Sequence, residues 1–305
     1  MSMVKKSAKL GRDEKIFGLC FVALPVLSFL LFVLVPIVTS VYLSMCEWSG
    51  YGDLSNAKFV FLDNFKALFS SASLYSKDLL LAIKNTVIMM AYIPITILLA
   101  LLLAMALNGK IPGVGFFRVV YYIPGIASAV AVTILFNQMF QNSGLINELF
   151  GSDTEWLYRP GSSKIVIIIM LTWKNLGYTM VLYLAGLQGI NKGYYEAAQL
   201  DGANSFQQFM KITLPLIQPM TFYIVVTSVI GGLQIFTEPY ILFSYNDGWG
   251  PEKGVMSIMV LMYNQYSLYD KMGLSSAIAW VLAFMIFFVT MVQFYFNKKR
   301  GDADA

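Results

Sequence analysis

The sequence predicts an all-α, polytopic membrane protein with six transmembrane helices and one structured cytoplasmic loop. Three observations carry that reading. The 305 residues are 58% hydrophobic and 12% charged, with a mean hydropathy of +0.67. A soluble domain carries about twice that charged fraction. Six apolar segments reach the about 20 residues a helix needs to cross a bilayer. Between the fourth and the fifth lies Tyr194 to Pro219, with polar residues at helical spacing and far longer than a simple connection.

The first apolar segment, 16–45, comes after a basic stretch from Met1 to Lys15. It exceeds the about 7–15 residues of a signal-peptide core, so it reads as a span rather than a cleaved leader. Leu43-Ser44-Met45-Cys46 faintly matches a lipoprotein box, but Met45 is the wrong size for the residue before the cysteine. Cys20 and Cys46 both fall in this segment. If it is helical they sit roughly 39 Å apart, beyond any disulfide. With no histidine in the chain, a zinc site built from Cys and His is excluded, and no metal site is expected. The chain divides into a cytoplasmic N-terminal segment 1–15, a transmembrane body 16–297 that includes the loop 190–216, and a tail 298–305.

The loop Glu47 to Leu79 is rich in Gly, Ser, Asn and aromatic residues. The second span, 80–107, contains Pro94, and the third, 117–140, opens with Tyr121-Tyr122-Ile123-Pro124-Gly125. Proline frees a carbonyl and bends a helix, which a membrane tolerates where the break faces protein or a water-lined cavity. Asn142 to Ser163 is a polar outer loop whose Trp156 and Tyr158 suit the interface. The remaining spans are 164–189, 217–244 and 273–296. Asp247-Gly248-Trp249-Gly250-Pro251 is a turn cluster outside the fifth, and the tail after Asn297 is a positive stop with a disordered end. With both termini inside, Lys and Arg number twelve on the inner segments and seven on the outer ones, which supports N-in, C-in. The net charge of +4 is spread over segment ends and is no nucleic-acid footprint.

The inner loop reads as helix, glycine stop, helix. Glu196, Ala197, Ala198 and Leu200 favour helix. Gly202 suits the left-handed position that closes one. Asn204 caps the next, with Gln207 completing a capping box. Pro215 fits the first turn of the helix after it. Small side chains at 197, 198, 202 and 203 permit another backbone to approach, and Glu196 offers a charge. Two readings stand: a knob that docks another protein, or an amphipathic loop lying on lipid.

Polar residues inside spans mark function by default. Lys174, Asn175 and Tyr178 share one side of the fourth span. A ring beside amide and ammonium donors suits a sugar; an outer interfacial belt with Lys174 snorkelling is the other reading. The fifth span holds Gly231, Gly232, Gln234, Ile235 and Glu238, with Glu238 one helical turn beyond Gln234 and just before Pro239. Those glycines suit either an irregular turn or a packing seam.

Glu196-Ala197-Ala198, three residues, Gly202, nine residues, Ile212, one residue, Leu214-Pro215 resembles the EAA signature of permease subunits of binding-protein-dependent ABC importers. From Phe61 to Arg300 the chain is similar to carbohydrate permeases of the maltose and glycerol-3-phosphate type. Phe61-Leu62-Asp63-Asn64-Phe65, Asn85-Thr86 and Leu233-Gln234-Ile235-Phe236 resemble stretches of these permeases. The resemblance implies a type I importer permease fold and an ATPase-coupling role for Glu196, Ala197, Ala198, Asp201 and Gly202. It implies sugar contacts at Lys174, Asn175 and Tyr178, at Gly231, Gly232 and Ile235, and near Gly125. Departures exist: the two glycines replace an aromatic and an amide of the maltose relative, and Gly248-Trp249-Gly250-Pro251 stands for a Gly-Gly-Pro.

No G-x-x-x-x-G-K-[ST] phosphate loop exists in the sequence. The expected partners are therefore a second, similar permease, two ATP-binding subunits that hold ATP and Mg, an extracellular solute-binding protein and a sugar, in a bacterial cell membrane. The chain itself is expected to hold no cofactor and to be no enzyme. The rival reading is an ion-coupled secondary sugar carrier using Glu238 and Lys174 as a buried coupling pair; the absence of an internal repeat weighs against it.

Overall fold

The structure is a computed structural model that describes residues 12–109 and 112–301. Residues 1–11 of the basic N-terminal segment, residues 110–111 with Lys110, and the tail residues 302–305 lie outside it. Helix α1 (Arg12–Phe29) passes through one π-turn, Leu30–Leu34, into α2 (Val35–Ser44). The π-turn ends just before Pro36, whose missing N–H breaks the regular ladder there. A short hairpin, β1 (Cys46–Glu47) with β2 (Lys58–Phe59), and α3 (Asp63–Phe69) come next. The second crossing is α4 (Leu74–Met89) plus α5 (Tyr92–Leu107), interrupted at Met90 and Ala91. It begins several residues before the expected boundary.

The third crossing is a bent pair. Helices α6 (Val114–Ile126) and α7 (Ala129–Phe140) meet at 95°, two residues past Pro124, so the single helix expected over 117–140 is corrected to two. Helix α8 (Leu145–Phe150) lies in the loop between the third and fourth crossings, and α9 (Pro160–Gln188) is a long unbroken span. The segment after α9 holds α10 (Lys192–Leu200) and α11 (Ser205–Gln208), then a π-turn at Phe209–Thr213 and α12 (Leu214–Leu216). A 61° bend at Ile217 leads into α13 (Gln218–Leu233).

The expected fifth span, 217–244, is corrected here. The helix stops at Leu233, Gln234 to Phe236 are irregular, and α14 (Thr237–Leu242) starts anew. Pro239 supplies a reason. It has no N–H for the carbonyl four residues back, that of Ile235. That carbonyl accepts instead from the Ser257 hydroxyl at 2.6 Å. Gln234 and Glu238 are thus not successive turns of one helix. Ser257 also caps α15 (Ile258–Ser267), a helix the hydropathy pattern did not suggest. The last helix, α16 (Met272–Gly301), runs through the positive stop at 298–300 rather than ending before it.

Helix α9 is the hub, packed against α4, α5, α6, α7 and α13. Gly177 makes the α6 contact possible, because a Cβ there would overlap the Tyr121 carbonyl. By contrast, none of the most apolar window of Phe17–Ser44 is buried. Counting each bent pair as one crossing gives up to six among the described residues. Alternation then puts α10 on the same side as the start of α1, and α11 opens the bent pair that follows.

Candidate functional site

The loop that follows α9 forms as its local sequence dictates. Asn191 caps α10 by accepting from Gly193 N at 2.9 Å. At the other end Gly202 is left-handed, with φ of 80°. Ala203 N donates to Ala198 O and Gly202 N to Gln199 O, the paired bonds of a Schellman stop. The Asn204–Gln207 capping box closes in both directions at 2.9 Å. Tyr195 and Thr213 hydroxyls lie 2.9 Å apart and tie α10 to the π-turn that returns to the membrane body. The loop is therefore a folded foot rather than a slack connection.

The foot displays apolar as well as charged groups. Leu200 is 90% exposed and Phe206 70% exposed, beside exposed Glu196, Ala197, Asp201 and Gly202; Ala198 is half-buried. No heavy atom lies within 4 Å of a Cβ built on Gly202. Such a face is available to a partner.

The second group of candidates lies in the membrane body. Lys174 Nζ on α9 donates to Glu238 Oε1 on α14 at 2.7 Å, and Glu238 is buried. Gly125 sits over the same turn of α9, where an added Cβ would stand 3.2 Å from the Lys174 carbonyl. Tyr178 is exposed, with the hydroxyls of Tyr223 on α13 and Tyr122 on α6 as neighbours. Asn175 is half-buried and donates to Leu171 O of its own helix. Gln234 and Gly231 are exposed.

Two of the expected contacts are packed away. Gly232 is a packing residue: a Cβ there would press on Met90 and Ile93 of the neighbouring span. Ile235 is buried in the core cluster with Met89, Tyr92 and Phe243.

Over residues 15–302 the chain matches the family of inner membrane components of binding-protein-dependent transport systems. The chain belongs to this family. It is 33% identical to a probable ABC transporter permease protein, YesP, of Bacillus subtilis, over 95% of this chain and 93% of that one. It is 32% identical to the lactose transport system permease protein LacF of Rhizobium radiobacter, over 96% and 98%. In structure it is similar to a bacterial ABC transporter that imports the acidic polysaccharide alginate, with a TM-score of 0.77 at 23% identity, over 94% of this chain and 98% of that one. The permease is thus a multi-pass inner-membrane protein, and nothing supports the ion-coupled carrier.

Sequence reasoning missed Tyr122 and Tyr223 in this permease because neither carries a charge or a motif. Their only clue was a hydroxyl on an otherwise apolar face. The Asp78–Lys253 ion pair, at 2.7 Å, was also missed, since it joins the second crossing to a loop 175 residues away.

Proposed function

We propose that this permease pairs with a second, similar permease to build the pathway for a saccharide, and that two ATP-binding subunits drive it by gripping the α10–α11 foot. The single observation behind the coupling role is that foot: a rigidly capped inner segment displaying Leu200 and Phe206 to solvent. An apolar display of this kind on a water-facing loop calls for a partner. ATP and Mg are held by those subunits, and a solute-binding protein delivers the cargo from outside. The names of the lactose and other sugar-system relatives support a saccharide. The excess of basic residues on the inner segments supports N-in, C-in.

Closure of the ATPase pair would move α10 as a lever on α9 and α13. The spans would then rock around the region of Lys174, Tyr178 and Gln234. Glu196→Arg tests this in the assembled importer. It should insert normally yet cut ATP-driven uptake at least about tenfold, the effect of losing a partner contact worth about 1.4 kcal/mol. Normal uptake by a correctly inserted Glu196→Arg variant would refute the coupling role.

A further inference from the structure

We infer that the pathway is built for an uncharged saccharide, and that Glu238 sets this selectivity by cancelling the charge of Lys174. The inference rests on the saccharide reading of the proposed function and narrows it. Lys174 lies 14 residues into α9, roughly 21 Å down its axis, where the bilayer tolerates an ammonium only if it is paired or wet. Its partner is Glu238 Oε1 at 2.7 Å, with side chains 21% and 8% exposed. Chain position explains why the partner is there at all. Pro239 and the irregular Gln234 to Phe236 break start α14 at Thr237, and this turns the next residue toward α9.

The candidate groups next to the pair along the chain carry no charge. Asn175 and Tyr178 follow Lys174 on α9, Tyr122 and Tyr223 stand beside Tyr178, and Gln234 lies in the break before Glu238; they offer amides, aromatic faces and O–H groups. Lys164 and Lys84 are charged, but they belong to the outer ends, Lys164 only four residues into α9 and Lys84 on the exposed face of α4. A pathway of neutral donors and acceptors with an internally cancelled ion pair suits hydroxyl-rich, uncharged cargo. A free ammonium at the same place would instead draw a carboxylate. The fold alone does not decide the matter, since a structurally similar transporter imports acidic alginate.

The test uses the assembled importer in lipid nanodiscs without its solute-binding protein, so that only the membrane pathway selects. Equilibrium dialysis compares radiolabelled maltotriose with trigalacturonate. Wild type should favour maltotriose. Glu238→Gln should shift the ratio toward trigalacturonate by at least about tenfold, and the gain should shrink as salt rises. Lys174→Met/Glu238→Gln should return the ratio to the neutral sugar. If Glu238→Gln does not assemble, the exchanged pair Lys174→Glu/Glu238→Lys keeps the charges cancelled and must keep the neutral preference. An unchanged ratio in Glu238→Gln, a wild type that prefers trigalacturonate, or an exchanged pair that does so overturns the inference and leaves the saccharide reading standing. Binding of neither sugar to wild type overturns both.

Discussion

At the scale of single residues, asparagine amides tie loops to the ends of helices. Asn64 Nδ2 donates to both Ser44 O and Cys46 O, at 3.0 and 2.9 Å, and so fastens α3 to the end of the first crossing. Asn85 Nδ2 donates to Lys253 O and Met256 O, at 2.8 and 3.2 Å, while Thr86 Oγ1 accepts from Ile258 N. These residues lie in the stretches, Phe61 to Phe65 and Asn85-Thr86, by which the chain resembled known permeases, and they peg backbone groups at the ends of elements: four carbonyls by the two asparagines and one N–H by Thr86. The resemblance marked the positions. The partners were invisible, since Lys253 lies 168 residues from Asn85. Replacing Asn85 by alanine strands the Met256 carbonyl, at about 1–3 kcal/mol for a buried unsatisfied group, while Lys253 O keeps the Met256 N–H at 3.3 Å. The melting temperature of purified permease should fall by several degrees, with Asn85→Asp at least as damaging because a carboxylate cannot donate. An unchanged melting curve for both variants would show that water replaces the amide there.

At the scale of elements, legibility followed the range of the forces. The foot was readable residue by residue, because a glycine stop and a capping box depend on neighbours within a few positions. The broken crossings were not. Hydropathy registers unbroken apolarity over 217–244, whereas the break depends on Ser257 reaching back to Ile235 and on Gly232 fitting against Met90. Pro124 and Pro239 announced disturbance without giving its angle. A prediction belongs to the foot. Gly202→Ala strains a left-handed residue, and Asn204→Ala removes a cap, each at about 1 kcal/mol. Nothing packs on Gly202 and Asn204 is exposed, so the double variant should leave the melting temperature of the membrane body unchanged. It should lower the uptake obtained per ATP hydrolysed, because the lever frays. A fall in melting temperature equal to that of Asn85→Ala would mean that the foot supports the body instead.

At the scale of the whole molecule, two kinds of exposed apolar surface need different explanations. The window in Phe17–Ser44 is wholly unburied and that in α16 is only 17% buried, yet lipid solvates such surfaces without cost. The crossings, up to six among the described residues, were legible for the same reason: hydropathy adds up over a span whatever its partners. Leu200 has no such excuse, because α10 stands outside the crossings, and Phe206 sits in the first turn of the bent pair that follows it. If ATP-binding subunits cover them, exposed Lys192 and Lys211, which bracket the foot, become a direct probe of both side and partner. In inside-out vesicles holding the permeases alone, trypsin should cut at these lysines. Adding the ATP-binding subunits should slow that cleavage at least about tenfold, as expected for sites whose opening costs a further 1.4 kcal/mol or more. In right-side-out vesicles the same sites should stay intact. Cleavage from the outside would invert the topology and remove the coupling role with it. Cleavage from the inside that the subunits fail to slow would leave the topology intact and return the foot to the alternative its sequence allowed, an amphipathic segment resting on lipid.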